Sequence, residues 1–142
     1  MTTTFRQDIR AGLMAWLTAF KAQQGSAVDT IHKARPGSLT PPCIYIGGLS
    51  EPSIVHDAGL RQRVMAPQVV IVERLITADE AVEMKDPLVD AFLDYATANP
   101  HITAFAVAEP ISTADIELDY GGGAVYSATV VTFRAIIGEG RN

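Results

Sequence analysis

The feature that most constrains this chain is its C-terminal end, residues 111–138, where two strand-like runs flank three consecutive glycines, Gly121, Gly122 and Gly123. Glycine tolerates positive φ, so this pattern predicts a hairpin with a loop of about 3–5 residues. The second run, residues 125–137, is rich in β-branched and aromatic residues and contains no proline. We therefore expect it to be the longest strand of the protein and a central one.

Length and composition predict one domain, residues 1–142, with one sizeable core. Hydrophobic residues make up 48% of the chain, which is too much for a disordered protein. No run of about 18 apolar residues predicts a membrane span, and the first residues lack the pattern of a secretory signal. The single cysteine, Cys43, cannot form an internal disulfide. Together these features favour a cytoplasmic protein.

The net charge of −5 is unevenly distributed along the chain. Residues 1–74 contain eight Lys and Arg against five Asp and Glu, whereas residues 75–142 contain three against eleven. An acidic chain argues against nucleic-acid binding by a basic surface. The asymmetry suggests two faces of opposite sign that could meet between copies of the protein, although two ordinary solvated surfaces explain it equally well.

The N-terminal segment is predicted to form a helix that begins after Thr3 or Thr4 and ends near Gln23, before Gly25. Its apolar residues recur at helical spacing and make one stripe: Phe5, Ile9, Leu13, Trp16, Leu17 and Phe20. Residues 27–42 form a mixed connection with a short strand at Val28 and Ile31.

The middle of the chain predicts two strands separated by a loop. Residues 43–46 form a short buried strand that Gly47 and Gly48 stop, and residues 49–59 form a projecting loop. A loop of this length is more often functional than idle. Residues 60–75 then form a long strand, in which Pro67 cannot donate a ladder hydrogen bond and marks a bulge or an edge.

Two helix starts and a further strand follow. Residues 77–80 fit a capping box ahead of a short helix at 78–84. Asp86 then caps a second main helix that has Pro87 at its first position and ends near residue 99. Residues 102–108 form a strand that residues 109–110 break. This order predicts an α+β fold: a two-layer sandwich with a mixed or antiparallel β-sheet, two main helices and the C-terminal β-hairpin.

No pattern of catalytic or ligand-binding residues stands out. The three histidines, His32, His56 and His101, lie far apart, and no metal-ligand spacing occurs. Cys43 stands at the start of a β-branched strand without a flanking nucleophile motif, which favours a buried structural thiol. The triple glycine precedes a strand rather than a helix, so it is a turn and not a phosphate loop. The sequence therefore predicts no enzyme, no cofactor and no metal site.

An acidic row on the second helix is the main candidate for an interaction surface. Asp86, Asp90 and Asp94 recur every four residues and share one helix face. Like charges at this spacing are mildly destabilising, by a few tenths of a kcal/mol for each pair. The row is a solvated face or an interface for a basic strip, such as Arg61 and Arg63 of a neighbouring subunit. A metal site is a third and weaker reading, because three Asp on one helix face would still need other ligands.

This short acidic chain resembles the tail terminator (tail completion, minor tail) proteins of long-tailed bacteriophages. The resemblance is in the order of the elements: a helix, a long strand with a projecting end, a second helix and a terminal hairpin. The resemblance runs from the helix at 5–20 through the strand at 60–75 and the helix at 86–98 to the hairpin. It lies in architecture and not in a motif.

The resemblance implies a structural protein of the virion, located at the head-proximal end of the tail and assembled in the host cytoplasm. It implies a ring, usually a hexamer, that caps the tail tube, stops its polymerisation and joins it to a neck or head-completion protein. Genome DNA passes through the lumen without sequence-specific binding, and no membrane is involved. The charged residues expected at subunit or partner contacts also include Glu51 and His56 in the projecting segment, and Arg134 in the last strand.

Three alternatives remain open. One is a neck or head–tail joining protein of similar fold. The others are a small enzyme whose site assembles from scattered His and acidic residues, and an oligomeric α+β binding module.

Overall fold

A computed structural model describes residues 5–25, 28–57, 60–76, 87–103, 106–121 and 125–138. Within these ranges it describes the side chains except at 5–6, 51–57, 60–63, 74–76, 103, 106 and 137–138. In chain order, the elements are α1 (Phe5–Gln24), β1 (Thr30–His32), β2 (Cys43–Asp57), β3 (Leu60–Ile76), α2 (Pro87–Ala98), β4 (His101–Thr103), β5 (Ala106–Asp119) and β6 (Val125–Gly138).

The strands form one sheet in the order β1-β2-β3-β6-β5-β4. β1 and β2 run parallel, and every other neighbouring pair is antiparallel. The fold is therefore α+β with a mixed sheet. β6 lies between β3 and β5, which confirms its predicted central position. Its predicted rank as the longest strand is wrong, because β3 has 17 residues and β2 has 15, against 14 in β6.

β2 does not stop at its two glycines, so the loop predicted at 49–59 is wrong. The strand continues to Asp57, which pairs with Leu60 at the start of β3. The register shifts between Ile46 and Leu49 and again between Ser50 and Ser53. A Cβ added to Gly47 would stand 3.2 Å from the Cβ of Gln68, so glycine permits a close approach to β3 here. The residues that looked like strand breakers are accommodated as bulges.

Two prolines lie inside strands for the same reason. Pro67 belongs to β3, which has β2 on one side and β6 on the other, so its predicted edge position is wrong. It pairs with Leu49, directly beside a bulge in β2, as the bulge alternative predicted. β5 passes through Pro110 with a register shift before Ser112. The predicted break at 109–110 is therefore wrong, and the strand expected at 102–108 is divided between β4 and β5.

The helix predictions are confirmed where the structure describes them. Along α1, the predicted stripe is buried at Ile9, Leu13, Trp16, Leu17 and Phe20. Gly25 follows α1 with φ of +62°, a conformation that glycine adopts without strain at a helix C-terminus. α2 begins at Pro87 as predicted. The Asp86 cap and the helix predicted at 78–84 lie outside the described residues.

The buried side chains form two clusters. One contains residues of both helices and of the sheet, including Ile44 and Ile46 of β2. The other contains the alternate β2 residues, Cys43 and Tyr45. Successive strand residues point to opposite faces, so the two clusters lie on opposite sides of β2. The second cluster also contains Leu39, Val70, Val72, Leu118 and Ala128.

Five aromatic rings dominate the cluster that contains the helices. They are Trp16, Phe20, Phe92, Tyr95 and Phe133, with centroids of neighbouring rings 5.2–5.8 Å apart. Edge-on and tilted pairs of this kind stabilise by roughly 1 kcal/mol each beyond the burial of their area. The rings come from α1, α2 and β6, so they fix both helices to the central strand that the sequence predicted.

Candidate interaction surfaces

The predicted interface residues fall into three groups. Asp90 and Asp94 lie on α2 and are exposed, while Asp86 lies outside the described residues. The backbone of β2 and β3 pairs His56 with Arg61 and Ile54 with Arg63. Glu51, His56, Arg61 and Arg63 therefore belong to one pair of strands, although their side chains are outside the described part. The structure does not place a basic strip against the acidic row within the described residues of a single chain.

Arg134, predicted as an interface residue, forms an ion pair within the chain. It lies opposite Glu109 in the register of β6 and β5, and its Nη1 is 3.6 Å from Oε1 of Glu109. The two side chains are 50% and 65% exposed, so the pair contributes little to stability. Both residues line a shallow cavity of about 590 Å³ beside the C-terminal end of α2.

Metal binding and thiol chemistry both lack support among the described residues. No group of three His, Cys, Asp or Glu side chains could hold a metal ion there. The Cys43 thiol is fully buried, and burial raises its pKa above the ordinary value of 9.0. Because the thiolate is the nucleophile, burial and the raised pKa both act against reaction at Cys43 in the folded protein.

A contact missed by the sequence analysis covers this cysteine. The Arg35 guanidinium lies 4.7 Å from the centroid of the Tyr120 ring, and Arg35 Nε donates a hydrogen bond of 3.2 Å to the Tyr120 hydroxyl. That hydroxyl donates in turn to the carbonyl oxygen of Pro36 at 2.9 Å. The hydrogen bond with Tyr120 raises the pKa of Arg35. Together these contacts tie segment 33–42 to the end of β5, 85 residues away in sequence, with Leu39 buried in the same cluster as Cys43.

β5 is the second feature that the sequence analysis did not single out. It presents the two large exposed hydrophobic side chains of the described residues, Val107 and Ile111, which are 45% and 55% exposed. It also carries four exposed acidic residues: Glu109, Asp115, Glu117 and Asp119. The alternation of acidic residues at 115, 117 and 119 was visible in the sequence, but its place in the sheet was not.

The opposite end of the sheet is basic. Arg10 of α1 donates a hydrogen bond of 2.8 Å from Nη1 to the carbonyl oxygen of Lys33, directly after β1. Arg10 and Lys33 line a shallow groove of about 340 Å³ with Ala11 and Met14. Lys33 is exposed, so the groove offers positive charge to a partner.

No protein-family model matches the chain, and no curated protein matches it. Among the described helices, none is long and apolar enough to cross a bilayer.

Proposed function

We propose that this chain is a structural virion protein resembling a phage tail terminator. In this proposal it forms a ring, six copies in number, that caps the tail tube, stops tube polymerisation and joins the tube to a neck or head-completion protein. The ring lies at the head-proximal end of the tail, and genome DNA passes through its lumen. The protein has no catalytic role in this proposal.

The observation that carries the proposal is the order and pairing of the elements. α1 precedes the long strands β2 and β3, α2 follows, and the long strands β5 and β6 end the chain, with the short strands β1 and β4 directly ahead of β2 and β5. The resemblance to tail terminators rests on the first helix, one long strand, the second helix and the terminal pair of strands in this order. We further infer that the helices and the sheet form a two-layer sandwich whose last two strands make the C-terminal hairpin.

The exposed charges supply candidate contacts for such a ring. Asp90 and Asp94 are exposed on one face of α2, where they can contact a neighbouring subunit, the tube protein or a neck protein. The paired ends of β2 and β3, with Glu51, His56, Arg61 and Arg63, take the place of the projecting loop expected at 49–59. Arg61→Glu combined with Arg63→Glu weakens the ring if these arginines meet the acidic row of a neighbour.

The test uses the tail tube protein encoded in the same genome. Tube growth is followed by light scattering and negative-stain imaging, with and without substoichiometric amounts of this protein. We expect shorter tubes with added density at one tip, because a terminator stops growth at the end that it caps. Unchanged tube length and bare tips would contradict the proposal, whereas binding to head particles instead would favour the neck alternative.

A further inference from the structure

The sheet has a long outer edge on β5 that no strand of the described residues covers. β4 pairs with β5 only at Ala106 and Val107, and the Ala108 amide donates to the carbonyl oxygen of Pro100. Among the described strands, the stretch of β5 from Glu109 to Asp119 pairs with β6 alone, on its inner side. An unpaired edge presents a row of N–H and C=O groups that can accept a further strand.

The usual protection of an edge strand is concentrated at one end of this edge. Proteins commonly shield an edge with charged side chains, proline or bulges. Pro110 and the register shift before Ser112 interrupt the start of the edge, whereas the charged side chains farther along it are all acidic. Here residues 111–115 are all exposed, and Ile111 adds apolar area at the bulge. An exposed edge with an apolar residue beside it is the feature expected of a strand that pairs with another chain.

The other end of the described sheet is also unpaired, and its charge is opposite. β1 is the terminal strand, with β2 on its inner side. Arg10 and Lys33 lie at the end of β1, whereas Asp29 lies at its beginning, so the cationic part of this edge is near Lys33. Two β5 edges would bring acidic residues against each other, which disfavours a symmetric pair. An acidic edge against a basic edge is favoured.

We propose that the β5 edge of one copy adds as a strand to β1 of a second copy of this chain, with Glu117 beside Lys33 and the Arg10 groove. This inference rests on the proposed ring and names the seam between its subunits. The contact joins different surfaces of the two copies, so each added copy again presents one edge of each kind. Such a head-to-tail contact closes into a ring when the rotation between copies permits.

Single charge reversals test the seam. Glu117→Lys and Lys33→Glu each place like charges together, and each should raise the subunit dissociation constant by about tenfold or more. The variant that carries both changes keeps the net charge of −5 and should restore assembly. Restoration also shows that the single variants fail through charge and not through misfolding. Lys21→Glu is the matched control for Lys33→Glu, since it reverses an equal charge in the last turn of α1, away from the proposed seam.

Hydrogen exchange measures the protection of backbone amides, so it distinguishes strand pairing from a contact between charged side chains alone. β1 has three residues, so the amides near Glu117 and those within 30–32 should exchange more slowly in the assembled wild-type protein than in the Glu117→Lys variant. Equal exchange at these edges in both proteins would overturn the strand pairing.

The possible results distinguish a failure of the β5 to β1 seam from a failure of the proposed ring. A wild-type ring that neither single reversal weakens, or that the double variant does not restore, overturns the β5 to β1 seam and leaves the ring standing. A ring dissolved as strongly by Lys21→Glu also overturns it, because the loss would then not depend on where the charge is reversed. A wild-type protein that never forms a ring, alone or with tail tube protein, contradicts both proposals.

Discussion

At the scale of single residues, the contact between Trp16 and Tyr95 fixes the two helices to each other. The Tyr95 hydroxyl donates to the carbonyl oxygen of Trp16, and the Trp16 indole donates to the carbonyl oxygen of Asn99, both at 2.8 Å. Tyr95 is 8% exposed, so water cannot easily replace its partner. Polar groups of large aromatic residues thus find partners inside an otherwise apolar cluster.

Tyr95→Phe removes one of these two hydrogen bonds and keeps the ring. We expect the free energy of unfolding to fall by about 1 kcal/mol, which urea denaturation measures. Tyr126→Phe is the matched control, because the contact described for Tyr126 is the packing of its ring against Tyr120, which the variant retains. If both variants lost the same free energy of unfolding, the buried hydrogen bond of Tyr95 would not be what stabilises the fold.

One buried cysteine and two buried tyrosines, which lose their protons at high pH, make the stability of the folded protein sensitive to alkali. Burial raises the pKa of Cys43 above 9.0 and the pKa values of Tyr45 and Tyr95 above 10.0. The folded state therefore holds these protons more tightly than the unfolded state. The resulting stability is fully present below about pH 9 and is lost as the pH rises through the raised pKa values.

We therefore expect the melting temperature to fall as the pH is raised above about 9. Differential scanning calorimetry between pH 7 and pH 11 measures the change. Cys43→Val removes one of the titrating groups and should lessen the fall while it keeps the core filled. A melting temperature that rises with pH in this range would contradict the expected direction.

At the scale of elements, the segment 33–42 acts as a cover over one side of the sheet. Its contact between Arg35 and Tyr120 is exposed and the hydrogen bond from Tyr120 to Pro36 is part-buried, whereas Leu39 and Cys43 are buried. Exposed contacts that hold a cover are the ones that open first. The cysteine therefore reports opening of this segment.

Tyr120→Phe removes the hydrogen bonds to Arg35 and Pro36. A loss of about 1 kcal/mol in closing free energy should speed labelling of Cys43 by a thiol reagent about fivefold. Tyr95→Phe, the same change on the other side of the sheet, is the control and should leave the labelling rate unchanged if opening is local. Equal acceleration by both variants would instead mean that Cys43 is labelled through global unfolding.

The elements also show what local sequence could predict. Both helices followed from apolar residues at helical spacing, because that pattern depends on neighbours in the chain. The start of β2 at Cys43 was predicted correctly, but its predicted end at residue 46 and the predicted break at 109–110 were wrong. Gly47 and Pro110 break a strand only where no bulge accommodates them. The partner strand decides that question, and it is distant in sequence.

Some candidate surfaces also had a local sequence signal, and others did not. The exposed acidic row of Asp90 and Asp94 was visible as a helical repeat. The contact of Arg35 with Tyr120 joins residues 85 apart in sequence and has no local signal. The uncovered β5 edge could not be predicted either, since it depends on the order of strands in the sheet.

At the scale of the whole molecule, the uneven charge along the sequence can be compared with the positions of the charged residues in the sheet. Arg10 and Lys33 lie at the β1 end of the sheet, and four exposed acidic residues of β5 lie toward the other end. The division is not complete, because Asp29 lies beside β1 and both Arg35 and Arg134 lie near β5. Opposite charges at opposite ends favour head-to-tail association and make it weaker in high salt. This charge pattern suits a ring of identical subunits.

The mass of the assembled protein tests this central claim most directly. Size-exclusion chromatography with light scattering should give about 91 kDa, six times the 15.2 kDa of one chain, either for the protein alone or after assembly on tail tubes and release. Negative-stain averages of the same fraction should show a ring with an open centre. A strict monomer at every concentration, which also fails to bind tail tubes, would contradict the proposed function.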